Sequence, residues 1–372
     1  MRTLLYVLLI MIIVGAFLFF KNMANQNKEQ GYAIVLFTTG IGLITSAFGT
    51  IFDNVIKTFM MLQSTSVKDS LKIQESFDVN YPSLIIGGIL VLTGIWFQRY
   101  INNKMFILNI NGYYDRRIDG HHKELGLSTF EFKEREIDFI GLFKSKKMNK
   151  ALASIIAVLI KEKVKSFKEE SRHFQRGYTG IAPIPFVALA GTYLKREKID
   201  KFYEYDKVET NAYFSLKTEK AKLFFKGNEN YPDLRLQTDI SSLNAEKEEA
   251  VIAISITQEI LDAHLEQFSE AEIVKFSLDA PCDNAIQFEA QLIYYRKQII
   301  DTIYALNRQM QNLALIHIVY SGQSCLALEI GKNIEDFRMP SVVIYQFDSQ
   351  EQKKYPWGIK LNGDNTGSFV QG

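Results

Sequence analysis

At 372 residues the chain is long enough for about two domains of the usual 100–200 residues each. Its 43 basic and 42 acidic side chains nearly cancel, which argues against the basic face or stripe of a protein that grips DNA or long RNA. Cys282 and Cys325 are the only cysteines and stand at no metal or disulfide spacing, as expected in a reducing compartment.

Three uncharged apolar runs open the chain: Leu4 to Phe20, Tyr32 to Phe52 and Val79 to Gln98. Each approaches the ~20 apolar residues that cross a bilayer core, which predicts transmembrane helices over about 3–20, 32–52 and 81–98 within a membrane region, 1–104. A signal peptide is the alternative for the first run, but Phe19-Phe20-Lys21-Asn22 offers no small-residue cleavage site. Arg99, Lys104, Arg116 and Arg117 follow the third run, so the positive-inside rule predicts a multi-pass protein with a cytoplasmic C-terminal part. Gly42 and Ser46, four apart, predict a small-residue face for helix packing, and Gly87, Gly88 and Gly94 repeat the theme. Asp53 and Lys57 stand at i,i+4 and read as a pair at the headgroups.

From Met105 onward short apolar strands alternate with amphipathic helices, the signature of a mainly parallel sheet covered on both faces. Strands are expected at 105–110, 201–206, 251–256, 273–278, 313–320 and 342–348. Helices are expected at 147–170, 259–268, 288–311 and 325–332. Gly180-Ile-Ala-Pro-Ile-Pro-Phe-Val-Ala-Leu-Ala-Gly191 recurs, degraded, as Tyr320-Ser-Gly-Gln-Ser-Cys-Leu-Ala-Leu-Glu-Ile-Gly331. Each copy leads to a strand ending in an aromatic and an aspartate, Tyr205-Asp206 and Phe347-Asp348. The predicted fold is therefore α/β: two pseudo-symmetric Rossmann-like halves, about 105–210 and 250–372, in one domain, 105–372. Open α/β sheets bind ligands outside the carboxyl ends of their strands, so the repeated motifs are expected to face one composite groove.

In these residues, with Tyr355-Pro-Trp357 and the strand after it, the chain from about Met105 resembles the SAVED domain, a fusion of two CARF-like units. With its membrane prefix it resembles the transmembrane SAVED effectors of bacterial CBASS anti-phage systems. The resemblance implies recognition of a cyclic di-, tri- or tetranucleotide second messenger made by a CD-NTase-type cyclase, with no further cofactor. It also implies homo-oligomerisation on binding, disruption of the inner membrane and abortive infection, by a receptor that is not an enzyme. The family's nuclease and protease segments are not found here, and three spans depart from the two or four of related membrane fusions.

A cyclic oligonucleotide presents bases to stack on and phosphates that seek N–H groups, hydroxyls or cations. Tyr113 and Tyr114 follow the first strand, and Thr257 and Gln258 follow its counterpart; the tyrosines are ligand contacts or half-buried surface residues. Arg176 and Tyr178 precede the first motif as a cation and a stacking face, or Arg176 is a surface charge. Ser321, Gln323 and Ser324 form a polar cluster after a buried strand, where a pure helix cap needs only one of the three. Tyr205 and Tyr345 are core or rim aromatics, or stack on a base, and Tyr345 is counted among the candidate ligand contacts. Asp115, Asp119, His121 and His122 lack a firm metal spacing and read as a solvated loop; no metal site is expected. The alternative function is a membrane-anchored hydrolase or ring nuclease, with Ser321, Ser324 or Cys325 as nucleophile near His317, although no third, orienting group is visible.

Overall fold

The computed structural model describes residues 28–47, 80–118, 125, 127, 132–143, 147–218 and 231–372. The chain divides into two compact units, Met1–Lys104 and Met105–Gly372.

The first unit contains α1 (Lys28–Ala47) and α2 (Tyr81–Asn103). Asn80 starts α2, its side chain accepting from Ser83 N at 3.2 Å, with proline tolerated in the first turn. Among the described residues only the Tyr81–Ile101 stretch of α2 is long and apolar enough to cross a membrane. The apolar part of α1, Gly31–Ala47, is shorter, about 26 Å at 1.5 Å per residue against a core of about 30 Å. The multi-pass reading is corrected to this extent; Leu4 to Phe20, Asp53 and Lys57 lie outside the described residues. The packing face also differs from the expected one. A Cβ on Gly40 would come within 2.8 Å of Gly87 O, and one on Gly87 within 2.8 Å of Gly40 O, while Gly42 and Gly88 have nothing within 4 Å. Gly40, Gly87 and Gly94 let the two backbones touch; Gly42 and Ser46 do not take part. Ile85, Ile86, Ile89, Leu92 and Trp96 point outward from α2, each more than half exposed.

The second unit holds two sheets. The first has the order β2-β1-β3-β4-β5, from β1 (Met105–Asn111), β2 (Phe132–Asp138), β3 (Gln175–Ile181), β4 (Lys201–Asp206) and β5 (Ala212–Ser215). The other has the order β12-β11-β10-β9-β7-β8-β6. Its strands are β6 (Arg235–Leu236), β7 (Glu249–Ser255), β8 (Glu272–Ser277), β9 (Leu315–Ser321), β10 (Ser341–Gln346), β11 (Trp357–Lys360) and β12 (Phe369–Gln371). Strands β2-β1-β3-β4 and β8-β7-β9-β10 are parallel in each case and bordered by an antiparallel strand, β5 or β11. The two halves thus repeat one topology.

The central strands are buried on both faces, which explains continuous apolar runs such as Leu315-Ile-His-Ile-Val-Tyr320. Helices α3 (Ile140–Phe143), α4 (Lys150–Glu170), α5 (Ile184–Leu194), α6 (Glu289–Gln309) and α7 (Ser324–Asn333) accompany the sheets. Asn149 caps α4 by accepting from Leu152 N at 3.0 Å. Leu152, Ile156, Ile160, Val164 and Phe167 turn its apolar stripe into the core, each contributing about 1.5–3 kcal/mol by burial. The expected helix at 259–268 is instead two short 3₁₀ turns, Asp262–His264 and Glu266–Phe268. Its buried side chains, Ile260, Leu265 and Phe268, stand five and then three apart, which an α-helix does not put on one face.

The repeat in the sequence corresponds to β3–α5 and β9–α7. Pro183 and Gln323 are the two N-caps, and Gly191 and Gly331 occupy equivalent turns. A Cβ on Gly191 would collide with the Leu328 carbonyl, and one on Gly331 with the Ala188 carbonyl. Reciprocal contacts of this kind are what a two-fold relation produces, so α5 and α7 cross on a pseudo-dyad.

Candidate functional site

Both parallel sheets end their strands near this crossing, and a cleft of about 350 Å³ opens there, within the usual size range of small-ligand sites. The first half contributes Tyr113, the turn Gly180–Ile184, Glu204, Tyr205 and Lys207; the second contributes Thr257, Asp283, Asn284 and the turn Gly322–Ser324. The walls are built alike. Gly112 N and Tyr113 N donate to Ile181 O at 3.0 and 3.2 Å, and Ile256 N and Thr257 N donate to Ser321 O at 2.8 and 3.0 Å. In each half the loop after the first strand is pinned to the end of its neighbour.

The floor is made by an exchange across the dyad. Gln346 at the end of β10 accepts from Ile184 N at the start of α5 (3.1 Å). Glu204, its equivalent on β4, accepts from Cys325 N (2.7 Å) and from the Ser324 hydroxyl (3.1 Å) at the start of α7. Neither helix is capped by its own N-cap side chain; each borrows its cap from the other half. Glu204 is almost fully buried. Burial raises its carboxyl above the usual range against the opposing pull of the Cys325 and Ser324 donors. Both of these hydrogen bonds go to Oε1, the Cys325 thiol is a further side-chain partner of the carboxyl, and Glu204 lines the cleft. Lys207 supplies a cation, its ammonium 5.2 Å from the Tyr114 ring centroid. Desolvation lowers its pKa and Asp283 opposes that shift. Asn284 holds a positive φ of 54° beside it.

Of the residues singled out in the sequence, the structure brings Tyr113, Tyr205, Thr257, Gln323 and Ser324 to the cleft. Tyr113 packs edge-on against Phe143, centroids 5.5 Å apart, and burial pushes its phenol up. The polar cluster turns out to be divided among three tasks. Ser321 Oγ accepts from Gln258 N and bonds Thr257 Oγ1, each at 3.1 Å. Gln323 binds Ile286 through both its carbonyl (2.6 Å) and its amide (3.0 Å), and Ser324 meets Glu204. Ser321, Gln258 and the exposed Tyr114 are not among the cleft's lining residues.

Arg176, Tyr178 and Tyr345 also stand apart from the lining. Arg176 sits at the opposite end of β3, bound to Ser171 Oγ (2.7 Å) and Glu197 (2.6 Å). Tyr178 is fully buried against Phe202, and Tyr345 lies on the other face of its sheet with Phe268 and His317. His317 is fully employed, Nδ1 with Tyr345 Oη at 3.0 Å and Nε2 with Glu249 at 2.9 Å. Burial pushes the Cys325 thiol well above its usual range. The nucleophile–base pair considered in the sequence is therefore not assembled. Asp115 is exposed and pairs with Arg117 at 3.3 Å; Asp119, His121 and His122 lie outside the described residues, among which no group of three or more potential ligands gathers.

Glu204, Lys207 and Asn284 were missed. The available signal for Glu204 was its place in the repeat, equivalent to Gln346 and two residues before the repeated aspartates, Asp206 and Asp348.

No curated protein matches the chain. Among solved structures it is similar to the Acinetobacter baumannii Cap4 SAVED/CARF-domain containing receptor with the cyclic trinucleotide 2'3'3'-cAAA, at 10% identity and a TM-score of 0.47, covering 79% of this chain and 60% of that one. A Moraxella osloensis Cap4 SAVED/CARF-domain containing receptor gives 9% identity and a TM-score of 0.40, covering 83% and 64%. The chain thus spans less than two thirds of the length of these receptors. Residues 160–361, more than half of the chain, match the SMODS-associated and fused to various effectors sensor domain. The chain belongs to the SAVED family.

Proposed function

We propose that this protein is a receptor for a cyclic oligonucleotide, bound in the cleft on the pseudo-dyad. The observation that carries the reading is the position of that cleft: it lies at the carboxyl ends of both parallel sheets and takes residues from each half, where open α/β sheets hold their ligands. Tyr113 offers an aromatic face, Lys207 a cation for phosphate, and the Glu204 carboxyl an acceptor for a base amino group. Thr257, Asn284 and the backbone of the two turns supply further polar contacts.

The apolar, outward-facing α2 supports a bilayer-embedded effector. In this reading the ligand drives association of several copies, and the helices then permeabilise the inner membrane in anti-phage defence. A CD-NTase-type cyclase supplies the ring.

The test uses the full chain in neutral detergent, titrated with cyclic di-, tri- and tetranucleotides while melting and light scattering are followed. One ring is expected to raise the melting temperature and the particle size together. Absence of binding to every ring would sink the receptor reading, binding without growth would remove the assembly step, and linear products would replace the receptor with a hydrolase.

A further inference from the structure

A larger hollow lies at the other end of the first sheet and has a different chemistry. It measures about 540 Å³ and is lined by Lys161, Lys165, Lys168, Arg172 and Arg176, with Tyr193. Two acidic residues, Glu169 and Glu197, also line it. Glu197 is occupied by Arg176 at 2.6 Å and by Lys168 at 3.9 Å. Among the described residues Lys161, Lys165 and Arg172 have no ion-pair partner, the Tyr193 hydroxyl has no hydrogen bond, and Arg176 Nη2 is unused while Nε and Nη1 are held.

Cations near the end of α4 are favoured by the helix dipole, and that accounts for exposed lysines there. It does not account for five cations converging on one concavity, where each raises the cost of the next. Nor does it account for Arg176, whose guanidinium is mostly buried and fixed by two partners. An anchored guanidinium beside free ammonium groups and a free hydroxyl matches the donor demand of a phosphate.

The place of the hollow in the chain bears on the source of that phosphate. Met105, the first residue of β1, pairs with Gln175, the neighbour of Arg176, and α2 ends at Asn103, two residues before it. The hollow therefore adjoins the end of the first sheet at which β1 begins. We infer that it is a binding site for a phosphate group, separate from the cleft, and of the kind an anionic lipid headgroup or a free phosphate ester presents. The inference does not depend on what the cleft binds.

The test again uses the full chain in neutral detergent, with bound lipid read by native mass spectrometry. The probes are short-chain phosphatidylglycerol, short-chain phosphatidylcholine, glycerol 3-phosphate and inorganic phosphate. The variant Lys161→Gln/Lys165→Gln/Arg172→Gln removes three exposed cations that make no structural bond, and Lys150→Gln/Lys297→Gln/Arg308→Gln removes three exposed cations elsewhere. Phosphatidylglycerol affinity is expected to fall roughly fivefold per cation, on the order of a hundredfold in the first variant, and to hold in the second. Binding of phosphatidylglycerol alone assigns a lipid source, and equal binding of glycerol 3-phosphate assigns a soluble ester. No binding of any probe, or equal loss in both variants, overturns the site.

Discussion

The two halves of the second unit share a frame and differ in what they put at its centre. Helix α5 starts with Pro183 as its N-cap and Pro185 in its first turn, and receives the neutral amide of Gln346. Helix α7 starts with Gln323, Ser324 and Cys325 and receives the buried carboxyl of Glu204. Proline removes a backbone donor, so the first half has less to offer an anion or an acceptor there. The two copies agree where backbones must touch, at Gly191 and Gly331, and diverge where a side chain meets the cleft. Packing tolerates no change at the first kind of position; chemistry can be reassigned at the second.

The glycines give the sharpest test of that division. Gly331→Ala drives a methyl into the Ala188 carbonyl, and Gly191→Ala into that of Leu328. Main-chain atoms cannot rotate away, so each substitution is expected to cost about 3 kcal/mol. Gly141→Ala, with nothing within 4 Å, should be neutral or stabilising by up to about 1 kcal/mol. Denaturant unfolding followed by circular dichroism ranks the three, and a tolerated Gly331→Ala would dissolve the proposed crossing.

Ligand affinity then distinguishes the two caps. Glu204→Ala should weaken the binding of the activating ring about tenfold or more, since it removes an acceptor from the cleft and leaves Cys325 N unpaired. Gln346→Ala should weaken it less, because Gln346 is not among the lining residues. Calorimetric titration of both variants measures the gap; equal losses would mean that the caps act only through the fold.

The same pair separates by pH. Burial raises the folded pKa of Glu204 above the usual 4.5, so the folded state holds its proton more tightly than the unfolded state. Its favourable contribution is complete below the unfolded value and is lost as pH rises through the folded one. Glu204→Gln keeps the acceptor and removes the titration. Wild-type stability should therefore fall relative to Glu204→Gln as pH climbs above about 4.5, whereas Gln346→Glu should introduce a new titration of its own. Parallel stability curves for wild type and Glu204→Gln would show that the carboxyl is hydrated after all.

Much of this frame was legible in the sequence because it is written in local terms. The aligned glycine-bounded segments, the apolar strands and the aspartates ending β4 and near β10 all follow from spacing. What stayed hidden depends on contacts across the dyad. Glu204 meets Ser324 and Cys325 from about 120 positions away, and nothing near it in sequence marks the crossing. Arg176 precedes Gly180 by four residues, which in a strand is about 13 Å, enough to carry it to the opposite end of the sheet. In the first unit, Gly42 and Ser46 had the right spacing on the wrong face of α1, since an isolated helix does not reveal the direction of its neighbour.

The smallest expected difference concerns two buried tyrosines beside the dyad, Tyr178 on β3 and Tyr320 on β9. The Tyr320 hydroxyl donates to Gln323 O at 2.8 Å, and through it the turn into α7 is held. The Tyr178 hydroxyl makes no hydrogen bond of ordinary geometry although it is fully buried. Burial raises the pKa of both phenols well above the usual value, so neither ionises in the physiological range. Removing a paired hydroxyl leaves its acceptor stranded, whereas removing an unpaired one relieves a desolvation cost. Tyr320→Phe should therefore lose about 1 kcal/mol, and Tyr178→Phe should change by less than about 0.5 kcal/mol or gain stability. A loss at Tyr178→Phe as large as at Tyr320→Phe would mean that Tyr178 has a polar partner across the dyad, and the cleft floor would then be joined through both halves.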